Sequence, residues 1–334
     1  MAVSGGVAFV VNPRTRAALA EELWQQVRAL LQKGAERCDE VETQPDDGNA
    51  ERVIRLIETQ RPHTIVAAGG DGTVSEVVQA IRCATVSTAP TLAILPLGTA
   101  NNVARSLGLR SCRPAAADAV DLAVATARGG ALQPLDLGYV ETGEESGRYF
   151  IGSFAIGMDA HILQMRNRLR RRLALGPRTG GYPLYLLSCA VCLLLRRPVV
   201  AALRIDGVST SRSVFNFLVL NTPLYAGEFR FDAGLHVDDA RLDLQVFAGA
   251  LDYVRQFVAA WRRHLRAAAG RCVTEPPGLR RIVEVEVNLP AAAATQLDGE
   301  ERTPSAAYRI RVVPRALVVR VPASVRPPAA GSSR

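Results

Sequence analysis

The sequence predicts an α/β domain followed by a β-rich domain. Strand-like apolar runs alternate with helix-period runs over residues 1–136, the signature of a parallel sheet. After Leu135-Asp136 most apolar pieces are short and strand-like. Glycine-rich turns follow two of the early strands, where a parallel sheet places its ligand sites.

Val7–Val11 reads as a buried strand running into "NPRTR". Leu19, Leu23, Trp24, Val27, Leu30 and Leu31 recur at helical spacing, and Lys33-Gly34 closes that helix. Asn49 caps a second helix carrying Val53, Ile54, Leu56 and Ile57. Thr64–Ala68 is a strand. Thr73 or Ser75 starts a helix with Val77, Val78 and Ile81 on one face. Thr91–Leu95 is a strand, Ala100–Leu107 a short helix and Pro114–Ala127 a longer one. Strands are then expected at Gly138–Val140, Tyr149–Ala155, Val200–Ile205, Ser213–Leu220, Leu242–Phe247, Ile282–Val287, Ala307–Val313 and Leu317–Val321. Helices interrupt them at Ala160–Leu175, Tyr182–Leu195 and Leu251–Ala269.

Composition narrows the chemistry. A net charge of +8 favours anionic partners. Aromatics at 5% argue against base stacking, so no nucleic-acid partner is expected. Lys33 is the only lysine, which speaks against Schiff-base chemistry and a lysine-bearing phosphate loop. The cysteines form no disulfide framework; Cys189 and Cys192 lie inside "LLSCAVCLLL" and read as inert core thiols. "MAVSGGVAFVVNP" has neither the charged region nor the cleavage site of a signal peptide, and Leu184–Leu195 is too short to span a bilayer.

"GGDGT" (Gly69–Thr73) lies between a strand and a helix. Such a turn brings backbone N–H groups and a helix N-terminus to an anion without any lysine. Asp71 then faces a metal, a water or a ribose hydroxyl; the alternative is a structural turn with Asp71 as helix cap. "ILPLGTANNVARSLGL" (Ile94–Leu109) repeats strand, glycine turn and helix, with Thr99, Asn101 and Asn102 at the turn. "LDGE" (Leu297–Glu300) reads as a tight hairpin turn whose carboxylates are either catalytic or merely surface groups.

Together these residues resemble the diacylglycerol kinase catalytic family, which includes bacterial YegS-like lipid kinases and the sphingosine and ceramide kinases. The resemblance is carried by "VVNP" at Val10–Pro13, "GGDGTVSEVV" at Gly69–Val78 and "LPLGTANNVARSLG" at Leu95–Gly108, then by "FAIGMDA" at Phe154–Ala160, "DARLDLQVF" at Asp239–Phe247 and "QLDGEE" at Gln296–Glu301. "GGDGT" also occurs in NAD kinases; the Pro96–Asn101 string separates the lipid kinases.

The resemblance implies an NAD-kinase-like α/β nucleotide domain over residues 1–136, a β-sandwich-like catalytic domain over 137–325 and a flexible tail over 326–334. Catalysis would occur in the cleft between the domains, with the last strands returning to the first. It implies ATP as co-substrate with Mg²⁺, and γ-phosphoryl transfer to a lipid hydroxyl, diacylglycerol giving phosphatidic acid. Asn12, Arg14, Thr15, Arg16, Thr43, Gly69, Gly70, Asp71, Gly72, Thr73, Thr99 and Asn101 would meet ATP, with Glu76 supporting the glycine turn. Glu300 would be the general base, with Asp298 beside it. His236, Asp239 and Arg241 would surround the metal. Three stretches depart from the family pattern: Arg14-Thr15-Arg16 replaces small residues and glycine, Asp238-Asp239-Ala240 replaces asparagine-aspartate-glycine, and Glu301-Arg302-Thr303 follows "DGE" in place of a tyrosine- or proline-containing sequence.

"MRNRLRRR" (Met165–Arg172) holds five arginines ahead of an apolar run. It suits a cytoplasmic enzyme docking peripherally on anionic membrane; the alternative is a solvated helix face beside a core helix. Assembly as a homodimer is left open. Rival functions are a sphingoid-base, ceramide or NAD kinase, and a non-catalytic regulator of the same fold.

Overall fold

The computed structural model describes residues 6–16, 25, 27–29, 38–45, 48–111, 117–143, 147–173, 181–231 and 237–323. The expected helix around Leu19–Leu31 and the tail at 326–334 lie largely or wholly outside these residues. The chain divides into two compact units: Met1–Leu137 with His236–Asp239 and Pro314–Arg334, and Gly138–Leu235 with Ala240–Val313.

In the first unit, β1 (Val7–Val11), β2 (Cys38–Glu42), β3 (Thr64–Gly69) and β4 (Thr91–Pro96) form a parallel sheet in the order β2-β1-β3-β4. Val7 aligns with Cys38 on one side and Thr64 on the other, and Thr64 aligns with Thr91. The end of the long strand Glu300–Val321 adds beyond β4, with Val319 opposite Leu92 in parallel. β1, β3 and β4 are buried almost throughout, because a parallel sheet is covered on both faces and its strands read as continuous apolar runs. The helices are α1 (Pro13–Arg16), α2 (Asn49–Gln60), α3 (Asp71–Cys83), α4 (Asn102–Ser106) and α5 (Ala117–Gly129). In α2, Val53, Leu56 and Ile57 face inward, and Arg61 closes the helix in the left-handed conformation.

Two local features differ from the sequence expectation. α3 starts at Asp71, with Gly70 as its extended cap, so Thr73 and Ser75 are buried inside the helix rather than starting it. β2, "CDEVE", has no apolar run at all; pairing with β1 defines it.

In the second unit, strands are ordered β14 (Arg280–Ile282), β13 (Leu242–Phe247), β10 (Asn216–Leu220), β7 (Ser153–Gly157), β15 (Glu284–Leu297) and β16 (Glu300–Val321). The registers between them are antiparallel. The hairpin of β8 (Val199–Ile205) and β9 (Val208–Val214) pairs with the first half of β15. β5 (Ala131–Thr142) pairs with β6 (Arg148–Phe150), and β11 (Leu224–Tyr225) with β12 (Phe229–Arg230).

One core lies among the strands and includes Phe154, Phe217, Val219, Val285 and Ile310. A second lies under three helices, α6 (Met158–Arg172), α7 (Gly181–Leu195) and α8 (Ala250–Ala268), and includes Ile162, Cys192, Phe231, Phe247 and Phe257. This unit is therefore a mixed sheet-and-helix body, not a sandwich of sheets alone. The expected strands Tyr149–Ala155 and Ser213–Leu220 each break in two, whereas Ala307–Val313 and Leu317–Val321 belong to one strand. At one break the Phe215 N–H donates to Phe247 O and its carbonyl accepts from Met158, so that backbone is used outside the sheet ladder. Cys189 and Cys192 are unbridged, and burial pushes both thiols up, as inert core groups should be.

Candidate active site

The first unit gathers its candidate ligand groups at the C-terminal edge of the parallel sheet. Asn12 follows β1, Thr43 follows β2, Gly69 ends β3 with Gly70–Thr73 after it, and Leu97–Thr99 follow β4. The two glycine turns are locked backbone to backbone. Gly69 O accepts from Leu97 N–H at 2.9 Å and from Gly98 N–H at 3.2 Å. A Cβ on Gly98 would sit 2.4 Å from the Gly70 Cα and 2.7 Å from Asn101 Oδ1. Neither neighbour can withdraw without parting the turns, so glycine is required there by close approach.

Asn12 joins β1 to the first turn. Its Nδ2 donates to Thr73 Oγ1 at 3.4 Å and its Oδ1 accepts from Arg14 N–H at 3.0 Å. Thr15 donates both its N–H and its hydroxyl to Asn12 O. The Arg14 side chain is exposed beside this edge. Thr99 is exposed, whereas Thr43 is buried and donates its N–H to Val11 O. Asn101 is buried in the left-handed conformation, and its Nδ2 reaches Pro96 O, Gly98 O and Ser111 Oγ. It fixes the second turn from inside.

Asp71 occupies the first turn of its own helix and also serves the neighbouring one. Oδ1 accepts from Val103 N–H at 3.2 Å and Oδ2 from Asn102 Nδ2 at 3.3 Å, at the start of α4. Burial raises its pKa, and the hydrogen bonds from Asn102, Val103 and Asn101 pull it back. Beside the two readings open at the sequence level, the structure adds a third role: a carboxylate that clasps the second turn. Asp71→Ala leaves these donors without an acceptor, and we expect a loss of about 1–3 kcal/mol in denaturant unfolding. Stability unchanged within error would remove the clasp.

Glu76 accepts from Asn49 Nδ2 at 3.1 Å, while Asn49 also bonds both backbone groups of Gln44. Asn49 stands one residue inside α2 rather than at its cap, and it ties the β2 exit loop and α2 to α3. Sequence reading missed that junction, because an asparagine at a helix start signals a cap and nothing more.

The second unit builds a different group. Leu297 pairs with Glu300 across Asp298-Gly299, whose φ values of 51° and 85° are those of a type I′ hairpin turn. Asp298 is committed to structure. Oδ1 accepts from Gly152 N–H at 2.8 Å and Ser153 N–H at 2.9 Å, and Oδ2 from Ile151 N–H at 3.1 Å. Buried Gln296 holds the turn from the other side, its Oε1 accepting from Gly299 N–H at 2.7 Å.

Glu300 is left projecting from this braced turn. Its side chain keeps a solvent-facing surface, yet the surrounding protein desolvates the carboxylate enough to raise its pKa. Arg302 and then Arg166 oppose that rise. Burial lowers the pKa of Arg166, as does Arg170, while Glu300 supports its charge. Glu301 accepts from Asn167 Nδ2. The basic run Met165–Arg172 therefore divides: Arg166 and Arg170, one helical turn apart, act on Glu300, whereas Arg168, Arg171 and Arg172 are exposed. No pattern in "MRNRLRRR" distinguishes these two sets. A carboxylate held among arginines can accept a proton while the arginines stabilise phosphate charge.

The expected metal group, in which His236 and Arg241 would offer backbone carbonyls beside Asp239, lies only in part among the described residues. His236 lies outside them, Asp239 and Arg241 are exposed, and no cluster of three acidic, histidine or cysteine side chains with metal-binding geometry occurs among them. Ala240, where the family has glycine, has φ 58°, a conformation that costs an alanine about 1–2 kcal/mol. One carboxylate is enough for a magnesium ion that stays bound mainly to substrate phosphates and water.

Comparison with known proteins places this geometry. The diacylglycerol kinase catalytic domain model matches residues 6–140, the stretch containing both glycine turns. The chain is 28% identical over 259 residues to the diacylglycerol kinase of Bacillus subtilis (strain 168), covering 76% of this chain and 78% of that protein. It is 34% identical over 140 residues to a Cronobacter sakazakii protein described as "Probable lipid kinase YegS-like", of which it spans 43%. The fold matches the crystal structure of a diacylglycerol kinase from Bacillus anthracis str. Sterne with a TM-score of 0.62 at 16% identity, covering 96% of this chain and 98% of that one. Residues 6–140 thus match the diacylglycerol kinase catalytic domain, and the chain is similar over three quarters of its length to a diacylglycerol kinase, which marks it as a lipid kinase.

Proposed function

We propose that the enzyme transfers the γ-phosphoryl group of ATP to the free hydroxyl of diacylglycerol, giving phosphatidic acid and ADP. The observation that carries this is the division of labour in the "LDGE" turn: Asp298 is consumed by three backbone N–H groups, and Glu300 is left projecting among Arg302, Arg166 and Arg170. A regulator that only binds nucleotide or lipid has no use for a desolvated carboxylate on a braced turn.

In this reading the glycine turns of the first unit present backbone N–H groups to the phosphates, and Asn12 and Asn101 hold those turns in shape. Magnesium, when bound with ATP, neutralises phosphate charge. The lipid oxygen forms its bond to the γ-phosphorus as the bond to the β–γ bridging oxygen breaks. Glu300 takes the hydroxyl proton, and ADP leaves with the electron pair of the broken bond.

Radiolabelled ATP offered with diacylglycerol, a sphingoid base, ceramide and NAD tests the proposal. Label in phosphatidic acid is the expected result. Label mainly in a sphingoid or ceramide product would replace the substrate, and label in NADP would overturn the lipid reading. ATP binding without any transfer would make the protein a regulator.

A further inference from the structure

Surface helices normally carry one apolar stripe, turned inward. On α8 (Ala250–Ala268) the apolar face runs on beyond the part that is turned inward. Tyr253, Phe257 and Ala260 are buried in the core shared with α6 and α7. A second set, Leu251, Val254, Val258, Trp261 and Leu265, recurs in steps of three and four and is exposed, from 42% at Val254 to 73% at Leu251. At about 100° per residue, Arg255, Arg262 and Arg266 line one flank of this stripe, and all three are exposed. The only acidic residue of α8, Asp252, lies in its first turn and accepts from Ala248 N–H and Gln256 Nε2.

α7 repeats the anomaly on the same side of the sheet. Leu184, Ser188 and Cys192 point inward, while Leu186, Leu187 and Leu194 are exposed, Leu194 to 78%. Arg196 and Arg197 follow directly. No helix among the described residues is long and apolar enough to cross a membrane.

We propose that this helical face docks the enzyme on an anionic bilayer, with α8 lying in the interface. Its apolar stripe enters the acyl boundary, its arginines lie at phosphate level, and Trp261 sits at the depth where indole rings concentrate. Charge decides against a second copy of the chain. Antiparallel pairing of two such stripes sets arginine flank against arginine flank. Parallel pairing sets it against a flank without acid. Only an anionic surface satisfies both features at once. The assignment rests on the lipid-kinase reading only for its purpose, since docking needs no turnover.

The test is flotation of the full chain with vesicles of phosphatidylcholine alone and of phosphatidylcholine with phosphatidylglycerol. The wild type should float with the anionic vesicles. Val258→Ser with Trp261→Ser should lower partition about tenfold or more. Arg255→Gln, Arg262→Gln and Arg266→Gln together should lower it on the order of 10²-fold at low salt, and less at high salt. Thermal melts should be unchanged, because the replaced groups are exposed. A wild type that ignores anionic vesicles, or variants that float like it, would overturn the proposal. So would a dimer that dissociates on Val258→Ser with Trp261→Ser. On short-chain diacylglycerol dispersed in water the variants should keep turnover and lose it only on vesicles. No turnover on either substrate with flotation intact would sink the kinase reading and leave the docking face standing.

Discussion

Glu300→Gln is expected to lower turnover by about 10²–10⁴-fold, the range for loss of a positioned general base. The dissociation constant for ATP should stay within about twofold, because a near-isosteric replacement at this turn leaves the glycine turns of the other unit untouched. The amide preserves packing and the pairing of Leu297 with residue 300, so the melting temperature should hold. The pH profile supplies a second signature. Desolvation raises the Glu300 pKa above its ordinary value of 4.5. As pH falls through that raised value the carboxylate is protonated and cannot accept the hydroxyl proton. Wild-type turnover should therefore fall on acidification earlier than an ordinary glutamate would dictate, and Glu300→Gln should erase that acid limb from its residual rate. Turnover near the wild-type level in a folded Glu300→Gln protein would place the base elsewhere. A parallel collapse of ATP affinity would make Glu300 an organiser of the nucleotide site instead.

What the sequence discloses follows the physics of each signal. The parallel strands of the first unit are legible because burial on both faces makes them unbroken apolar runs. β2 is not, since an edge strand of "CDEVE" is defined by its hydrogen-bond partner and not by its side chains. The Asp298-Gly299 turn is readable from its dipeptide, and Asp206-Gly207 carries the same signal, with φ values of 47° and 86° between β8 and β9. There the following strand, "VSTSRSV", is mostly exposed and polar, and hid the hairpin. The glycine turns are legible as turns that face one crevice at the ends of successive strands, but the backbone contact between Gly70 and Gly98 is not, because the two are distant in sequence.

The candidate site shows the same limit. Residue type and spacing mark Asp71, Asp298 and Glu300 as carboxylates beside glycines. Which of them is free depends on hydrogen-bond partners supplied by other elements: Val103 for Asp71, and Ile151, Gly152 and Ser153 for Asp298. Arg166 is likewise one arginine among five until α6 turns it toward Glu300.

Asp298→Ala should therefore be a stability variant, with a cost of about 2–5 kcal/mol. Each backbone N–H deprived of its acceptor costs about 1–3 kcal/mol when water cannot replace it, and three lose theirs, in a setting that is only partly buried. The left-handed backbone at residue 298 adds to the loss, because alanine tolerates φ 51° less well than aspartate. Asp298→Asn separates the structural role from a catalytic one. Asparagine accepts the left-handed conformation, and its Oδ1 can still receive the Gly152 and Ser153 N–H groups. Its amide nitrogen then faces the Ile151 N–H, donor against donor, so one contact of three is lost and the cost should fall to about 1–2 kcal/mol. Urea unfolding should rank wild type above Asp298→Asn and Asp298→Asn above Asp298→Ala. Turnover per folded molecule of Asp298→Asn should stay within about tenfold of wild type, far from the loss expected of a base. If Asp298→Asn instead keeps full stability and loses turnover as Glu300→Gln does, the proton acceptor is Asp298, and its three N–H partners serve to orient it.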